Sequence, residues 1–248
     1  MRMNYDSIEM YRRNKNLVVD GIEEWWLHRL CRKTLRLGAR LLGRDARPAF
    51  TDRLVEYPLV LQYLQLERPG MRVLDFGCVE DLLPLHLCAL GFRVTGLDFR
   101  PYPFRHADFE FIQADILNWQ PPDGAFDLVV STSTIEHVGL SAYGDPGEPD
   151  GDRIALQKLL AAVKPGGRVL FTVPAGNART IALMRIYDAD RLRALAPTPS
   201  LVRWFAKASR HGDWHEVGSD EIAGLEYEDA AATGAVQGVA FVIVDRPR

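Results

Sequence analysis

The stretch MRVLDFGC, residues 71–78, decides the fold of this chain. It is a short apolar run that ends in an acid and a glycine, which is typical of a buried parallel strand followed by a turn. A helical pattern over 82–90 follows and ends at Gly91. Because the same strand signal recurs along the chain, the pattern predicts a parallel sheet with right-handed crossovers. The recurring runs are FRVTGLD (92–98), FEFIQAD (109–115) and FDLVVS (126–131).

The second half of the chain extends this sheet. The last two predicted strands have no helix predicted between them, so we expect an antiparallel hairpin at one edge. The predicted fold class is therefore α/β: a doubly wound, Rossmann-like, mostly parallel seven-stranded sheet with an antiparallel edge hairpin and N-terminal helices. The predicted elements are a helix over 153–163, a turn over 164–167, strand five over 168–174, a helix over 187–195, and strands over 201–207 and 239–245.

Length and composition indicate one soluble globular domain. The 248 residues are 47% hydrophobic and 25% charged, with a net charge of -3, which suits a single large core. Residues 1–65 are predicted to form an N-terminal helical segment with a basic amphipathic helix over 22–42, and residues 66–248 the main domain. We expect a cytoplasmic protein without a membrane span, because the N-terminus has no apolar signal-type segment and no run reaches about eighteen apolar residues. The composition predicts no oligomeric state.

Small polar and acidic residues follow four successive predicted strands. Asp75 and Gly77 follow strand one, Asp98 closes strand two, Asp115 closes strand three and Ser131 closes strand four. Since ligands bind such sheets at the carboxyl ends of the strands, this spacing favours a nucleoside-containing cofactor. An acid about 20 residues beyond the glycine turn accepts hydrogen bonds from a ribose diol, and Asp98 lies there. Each acid could also simply cap a helix or turn.

The glycine turn FGCVED, residues 76–81, argues against a phosphate ligand. It lacks the G-x-G-x-x-G pattern of pyrophosphate sites, because Val79 and Leu82 stand at glycine positions. Glu80 and Asp81 at the helix start would also repel a phosphate. A sulfonium cofactor carries a positive charge and no phosphate, so it tolerates these acids.

Taken together, the motifs resemble those of class I S-adenosylmethionine (SAM)-dependent methyltransferases. The matching stretches are VLDFGC (73–78), VTGLDFR (94–100), FIQADI (111–116), FDLVVSTSTIEHVGL (126–140) and VKPGG (163–167). The resemblance implies SAM as the cofactor and residues 66–248 as the SAM-binding domain. It implies that Asp75, Gly77 and Cys78 line the methionine part, Asp98 holds the ribose, Phe99 flanks the adenine, Asp115 and Ile116 read the adenine edge, and Ser131 lies beside the sulfonium.

Two further features refine or qualify the resemblance. The stretches 133–152, 172–176 and 185–192 are similar to a bacterial branch that methylates sugars of surface polysaccharides and glycosylated metabolites. The usual G-x-G-x-G turn has Val79 and Asp81 in place of its second and third glycines. A side chain at Val79 could crowd the cofactor. Either the turn takes a changed path, which we expect, or the fold serves as a non-catalytic binding subunit.

His137 is the candidate catalytic base. It follows strand four, and a hydroxyl acceptor needs a base that titrates near neutral pH. Its neighbour Glu136 is expected to point elsewhere or to steady the loop. The predicted acceptor is a small molecule or a sugar methylated at a hydroxyl, with N-methylation of an amine as the alternative.

Other ligand classes are less well supported by the sequence. The chain is acidic overall and STSTIEH lacks the pattern of a loop that holds a flipped base, so nucleic acid is not expected as a partner. A nucleotide-dependent oxidoreductase is disfavoured by the missing third glycine. The acidic run over 143–152 is read as a lid or acceptor loop, and His211 and His215 as loop residues. No metal site is therefore expected.

Overall fold

The structure, a computed structural model, describes residues 52–64, 67–141, 147–207, 213–225 and 238–248. All of them belong to one compact unit that spans residues 51–248. The predicted basic helix over 22–42, most of the predicted N-terminal segment, and His211 lie outside the described residues. None of the described helices is long and apolar enough to cross a membrane.

The main sheet has the spatial order β3-β2-β1-β4-β5-β10-β8-β9. The first five strands pair in parallel, whereas β10 runs antiparallel to both β5 and β8, and β9 runs antiparallel to β8. This arrangement confirms the predicted doubly wound fold. The strands are β1 (Arg72–Phe76), β2 (Arg93–Asp98), β3 (Phe109–Gln113), β4 (Phe126–Thr132), β5 (Val163–Pro174), β8 (Leu201–Ala206), β9 (His215–Val217) and β10 (Gly238–Asp245).

Helices connect these strands and pack on the sheet. α2 packs against β2, and α3 packs against β4 and β5. Local sequence sets several helix ends: Pro84 lies in the first turn of α2, and the Asp188 carboxylate accepts a hydrogen bond of 2.8 Å from the Arg191 amide at the start of α4. The helices are α1 (Arg53–Leu64), α2 (Leu83–Ala89), α3 (Gly151–Ala162), α4 (Ala189–Leu195) and α5 (Ser219–Ala223).

The described sheet has eight strands rather than the predicted seven. The additional strand is β9, which is only three residues long and too polar to give a periodic signal. The short helix α5 lies between β8 and β10, where no helix was predicted, and β10 is interior rather than an edge strand. β5 also begins at Val163, before the predicted turn over 164–167, and its register with β4 shifts there.

A small two-stranded sheet lies beside the main one. It consists of β6 (Arg179–Thr180) and β7 (Arg185–Ile186), and its turn is closed by a 2.9 Å bond from the Ile181 amide to the Met184 carbonyl. We call residues 179–186 the β6–β7 hairpin. Its segment was not predicted as strand, because pairs of two residues are shorter than any readable alternation.

Candidate active site

A cavity of about 440 Å³ lies at the carboxyl ends of β1 to β5. The cavity thus lies where an open α/β sheet binds its ligands. Asp75, Cys78 and Ser131 do not line it, although all three are buried. Of the predicted site residues, those that line the cavity are Gly77, Asp98, Phe99, Asp115, Ile116 and His137. The other lining residues are Asp52, Arg53, Phe76, Arg100, Ala114, Ser133, Thr134, Glu136, Val138, Pro174 and Met184.

The glycine turn follows a tight path over Asp98. Gly77 has φ 81°, a left-handed conformation that glycine adopts without strain, and Cys78–Glu80 form one turn of 3-10 helix. A Cβ atom on Gly77 would lie 2.2 Å from the Thr134 side chain. The Val79 amide donates a 3.2 Å hydrogen bond to Asp98 Oδ2. The backbone of Val79, which stands in place of the second glycine, is therefore hydrogen-bonded to Asp98 at the end of β2.

Asp98 anchors the second wall of the cavity. Its Oδ1 accepts a 2.9 Å hydrogen bond from the Arg100 amide and lies 3.4 Å from Arg100 Nε. Phe99 is 39% exposed, an unusual fraction for a phenylalanine, and the Arg100 guanidinium lies 5.6 Å from its ring centroid. An exposed ring beside a fixed carboxylate is suited to a ligand with a flat base and a sugar diol.

Asp115 shapes the loop after β3. Its Oδ1 accepts a 2.9 Å bond from the Leu117 amide, and its Oδ2 accepts a 2.9 Å bond from Asn118 Nδ2. The capping role considered as the alternative for this acid is thus present in the structure. Since a carboxylate offers about four lone-pair sites, Asp115 retains acceptor capacity toward the cavity that it lines with Ile116.

Two acids at the glycine turn are buried with raised pKa values. Asp75 is 1% exposed and neither of its carboxyl oxygens has a hydrogen-bond partner within the described residues. Burial, together with the charges of Asp81 and Asp98, raises its pKa well above the usual range. Burial likewise raises the pKa of Asp81 to about 6, although Arg53 opposes this shift.

Two charged residues of α1, Arg53 and Glu56, form an ion pair at the cavity, which Arg53 lines. Arg53 Nη1 lies 2.6 Å from Glu56 Oε2, and Glu56 is fully buried. Glu56 Oε1 accepts bonds of 2.5 Å from the hydroxyls of Ser133 and Thr172, which joins α1 to β4 and β5. Sequence reasoning missed this pair. The signal that could have found it is two opposite charges three residues apart within an otherwise apolar helix.

His137 lies in a 3-10 turn, Ile135–His137, directly after β4. Its Nδ1 is hydrogen-bonded to the Leu183 carbonyl of the β6–β7 hairpin. Because a carbonyl oxygen only accepts, this bond places a ring proton on Nδ1, so that in the neutral ring Nε2 is the nitrogen without a proton. The histidine is 20% exposed at its side chain and lines the cavity.

Glu136 does not point away from His137, so of the two roles expected from the sequence the first is wrong and a role in steadying the loop stays a prediction. Its Oε1 lies 3.6 Å from His137 Nε2, and its Oε2 has no hydrogen-bond partner within the described part of the chain. Burial and the charge of Glu56 raise the pKa of Glu136 well above its usual range, against the effect of Arg53. Burial therefore favours the neutral form of this carboxyl group beside the imidazole.

Two remaining sequence predictions fall partly on described residues. Of the acidic run 143–152, residues 147–152 are described, and Asp150 stands at the N-terminal cap of α3. His215 lies in β9 rather than in a loop, with Nε2 3.7 Å from Glu221 Oε1. Within the described residues no group of three or more histidine, cysteine or acidic side chains is placed to hold a metal ion.

The sheet order and the polar cavity at its strand ends define a Rossmann-like methyltransferase fold. The family model described as a methyltransferase domain matches residues 26–219. The chain belongs to this methyltransferase family, and it is an enzyme of the SAM-dependent class.

Individual proteins similar to this chain are methyltransferases as well. It is 29% identical to the ubiquinone biosynthesis O-methyltransferase of Cronobacter sakazakii over 153 residues, which cover 56% of this chain and 58% of that relative. It is 28% identical to the Sodalis glossinidius protein of the same description over 188 residues, 68% of this chain and 70% of the relative. The match to the first of these thus leaves about two fifths of that relative uncovered.

A solved structure shares the fold. It is the 1,6-didemethyltoxoflavin-N1-methyltransferase of Burkholderia thailandensis, which contains 1,6-didemethyltoxoflavin and S-adenosylhomocysteine. The TM-score is 0.56 at 18% identity, and the alignment covers 90% of this chain and 89% of that chain. At this identity the similarity supports the fold and not the substrate.

Proposed function

We propose that this enzyme methylates a hydroxyl group of a small acceptor with an apolar body, and that His137 is the base. The observation that carries the proposal is the hydrogen bond between His137 Nδ1 and the Leu183 carbonyl at the cavity. With the proton on Nδ1, Nε2 is the basic nitrogen of the neutral ring. His137 lines the cavity, and methyl transfer to a hydroxyl oxygen needs a base there.

The residues around the cavity suit SAM, which supplies an electrophilic methyl group on a sulfonium when it is bound. We assign the ribose diol to Asp98, the adenine to the surface formed by Phe99, Asp115 and Ile116, and the ammonium to Asp75. Asp75 does not line the cavity, but its buried carboxyl group has no hydrogen-bond partner within the described residues, which supports its assignment. Gly77 and Cys78 follow Asp75 in the same turn, and Ser131 is buried near the end of β4.

Arg53 is assigned to the carboxylate end of the same cofactor. It lines the cavity with 18% of its side chain exposed, and Glu56 holds it at 2.6 Å. A guanidinium fixed on one side by a buried carboxylate retains further donors on its other edge. These donors suit a second carboxylate from a ligand.

His137 removes the proton of the acceptor hydroxyl through Nε2. The reacting oxygen has to approach within about 3 Å and in line with the methyl group that it receives. Burial disfavours ionisation of the Glu136 carboxyl group beside Nε2, which weakens it as an ionic partner before the proton moves. It is then adjacent to the imidazolium that forms, at 3.6 Å.

The acceptor end of the cavity is mainly apolar. Val138, Pro174 and Met184 line it around His137, so an acceptor that carries a ring or chain beside its hydroxyl is favoured. The relatives described above are O-methyltransferases of ubiquinone biosynthesis. None of them is named for a sugar acceptor, so of the two acceptor classes predicted from the sequence, a small molecule or a sugar, we propose a small molecule with a phenol-like hydroxyl.

The test is a methylation assay with SAM and three matched acceptor sets: phenols and catechols, amines of similar shape, and monosaccharides. We expect methylated phenols by mass spectrometry. His137→Ala should lower kcat by about 10²–10⁴-fold, with SAM affinity nearly unchanged by calorimetry. The control is His106→Ala, because His106 does not line the cavity. Methylation of amines alone, with full turnover in His137→Ala, would overturn the proposal in favour of an N-methyltransferase.

A further inference from the structure

Arg185 of β7 is a buried arginine whose hydrogen bonds surround the candidate base. It is 3% exposed. Its Nη1 donates to the carbonyls of Glu136 at 3.3 Å and Val138 at 2.7 Å, the residues on either side of His137. Its Nη2 donates to the carbonyls of Glu148 at 3.3 Å and Pro149 at 3.0 Å. One guanidinium thus joins two loops at the cavity.

Asp152 compensates the charge of this arginine. Its Oδ2 lies 3.6 Å from Arg185 Nε and accepts a 2.7 Å bond from the Tyr187 hydroxyl. A buried cation is tolerated only when it is paired and its donors are satisfied. Here the carboxylate and the carbonyl groups together fix the plane of the guanidinium.

The same hairpin also holds the imidazole of His137. The Leu183 carbonyl, two residues before Arg185, accepts the proton of His137 Nδ1. Met184, between the two, lines the cavity. Three consecutive residues of the β6–β7 hairpin therefore act around His137. Leu183 holds its ring, Met184 lines the cavity beside it, and Arg185 holds the backbone on both sides of it.

We infer that Arg185 is a positioning residue that orients His137 and keeps its proton on Nδ1. The inference rests on the proposed function, in which His137 Nε2 is the base. Without the guanidinium the carbonyls of Glu136 and Val138 lose their donors, and the turn that carries His137 is free to rotate away from Leu183. Lysine cannot replace it, because one ammonium does not span two pairs of carbonyls as the planar guanidinium does.

The test compares Arg185→Lys with the matched change Arg246→Lys. Arg246 also donates to backbone carbonyls and a carboxylate, those of Ala161, Val163 and Asp123, but none of these groups flanks His137. The first measurement is the ¹⁵N spectrum of the His137 ring in the full chain without cofactor or acceptor. The second is the separation of kcat from the acceptor KM.

In the wild type and in Arg246→Lys we expect a single Nδ1–H form of His137. In Arg185→Lys we expect a mixture of the two ring tautomers and a kcat lowered by roughly 10- to 100-fold, the scale for a misplaced catalytic group. SAM affinity and acceptor KM should stay within about threefold, because neither ligand depends on this bond for its own contacts. If Arg185→Lys does not fold, Asp152→Asn is the second variant, because it removes the carboxylate that pairs with the Arg185 guanidinium. We then expect a smaller fraction of the second ring tautomer of His137.

A folded Arg185→Lys or Asp152→Asn protein with the wild-type His137 spectrum would overturn the inference, whatever its turnover. The spectrum is independent of the chemistry. If His137→Ala keeps full activity while Arg185→Lys still alters the ring signal, the base role is wrong and the positioning role stands. If kcat falls in Arg185→Lys without a change in the ring signal, the positioning role is wrong and the base role stands.

Discussion

Asp81 makes the stability of this protein depend on pH in a direction opposite to most acids. It occupies a glycine position of the turn after β1 and is 8% exposed. Its carboxyl accepts a 3.0 Å bond from the Leu83 amide and a 3.4 Å bond from the Thr132 hydroxyl. Burial still outweighs these bonds and the charge of Arg53, and raises the pKa of Asp81 to about 6.

The direction of this pH dependence follows from comparing the pKa of Asp81 in the folded and unfolded protein. An unfolded aspartate has a pKa of about 3.9, so between pH 4 and pH 6 the folded protein binds a proton at Asp81 that the unfolded chain has released. The free energy of unfolding therefore falls as the pH rises through this window. With folded and unfolded pKa values of about 6 and about 4, the contribution at pH 4.5 exceeds that at pH 7.5 by about 2 kcal/mol.

Urea unfolding of wild type and Asp81→Asn across this pH range measures the effect. Asparagine keeps an acceptor for the Leu83 amide but cannot ionise, so the difference in unfolding free energy between the two proteins should grow in favour of the wild type by about 2 kcal/mol on acidification. The other titrating groups are common to both proteins, and among them Asp75 changes with Asp81 because the charge of Asp81 raises its pKa. We expect the wild type to be the less stable of the two near neutral pH.

Asp127→Asn is the matched control with the opposite sign. Burial raises the pKa of Asp127, but hydrogen bonds from Lys164 and the Arg72 amide outweigh it and hold the pKa below the usual range. Its stabilising contribution is therefore present above the unfolded pKa and lost as the pH falls. The quantity to compare is the unfolding free energy of the wild type minus that of the variant, plotted against pH. If this difference is independent of pH for Asp81→Asn, or changes in the same direction as for Asp127→Asn, the reasoning for Asp81 is refuted.

Two further changes test the cavity. Asp98→Ala should weaken SAM binding by roughly 2–3 kcal/mol, through lost bonds to the ribose diol and a loosened glycine turn; unchanged calorimetric affinity in a folded variant would contradict the ribose assignment. Gly77→Ala should destabilise the protein more than Gly70→Ala, although both have positive φ (81° and 87°), because only the Cβ at Gly77 would meet Thr134. The backbone strain common to both is about 1–2 kcal/mol, and equal shifts in urea midpoint would show that Thr134 moves aside freely.

The central strands were predictable because they are buried on both faces. Residues 73–76 of β1 are all buried, and β4 has a single partly exposed residue. Such strands read as continuous apolar runs, and the polar residue that ends each run must lie at the strand's carboxyl end. Five predicted cofactor residues therefore line one cavity, although no contact between them could be read from the sequence.

The partners of these residues could not be predicted, since they come from distant parts of the chain. Glu56 bonds Thr172 across 116 positions, and Arg185 bonds the Glu136 carbonyl across 49. The sequence around such a charged residue can show that it lies in an apolar segment, as it does for Glu56, but it does not show which distant residue it bonds. The contact between Glu136 and the His137 ring was missed for another reason, namely that adjacent residues in a regular helix or strand do not face each other, whereas in a 3-10 turn after a strand they can.

The buried acids around the cavity are best understood as the cost of binding a cation. Asp75, Asp81 and Glu136 all have raised pKa values, which means that each destabilises the folded protein when it ionises. A fold under selection for stability alone would replace such groups with apolar ones. Arg53 offsets part of their charge but is itself held by Glu56. Neither oxygen of Asp75 is hydrogen-bonded within the described residues. If Asp75 pairs with the ammonium group of the cofactor, as proposed above, the same low-dielectric surroundings that raise its pKa strengthen that ion pair.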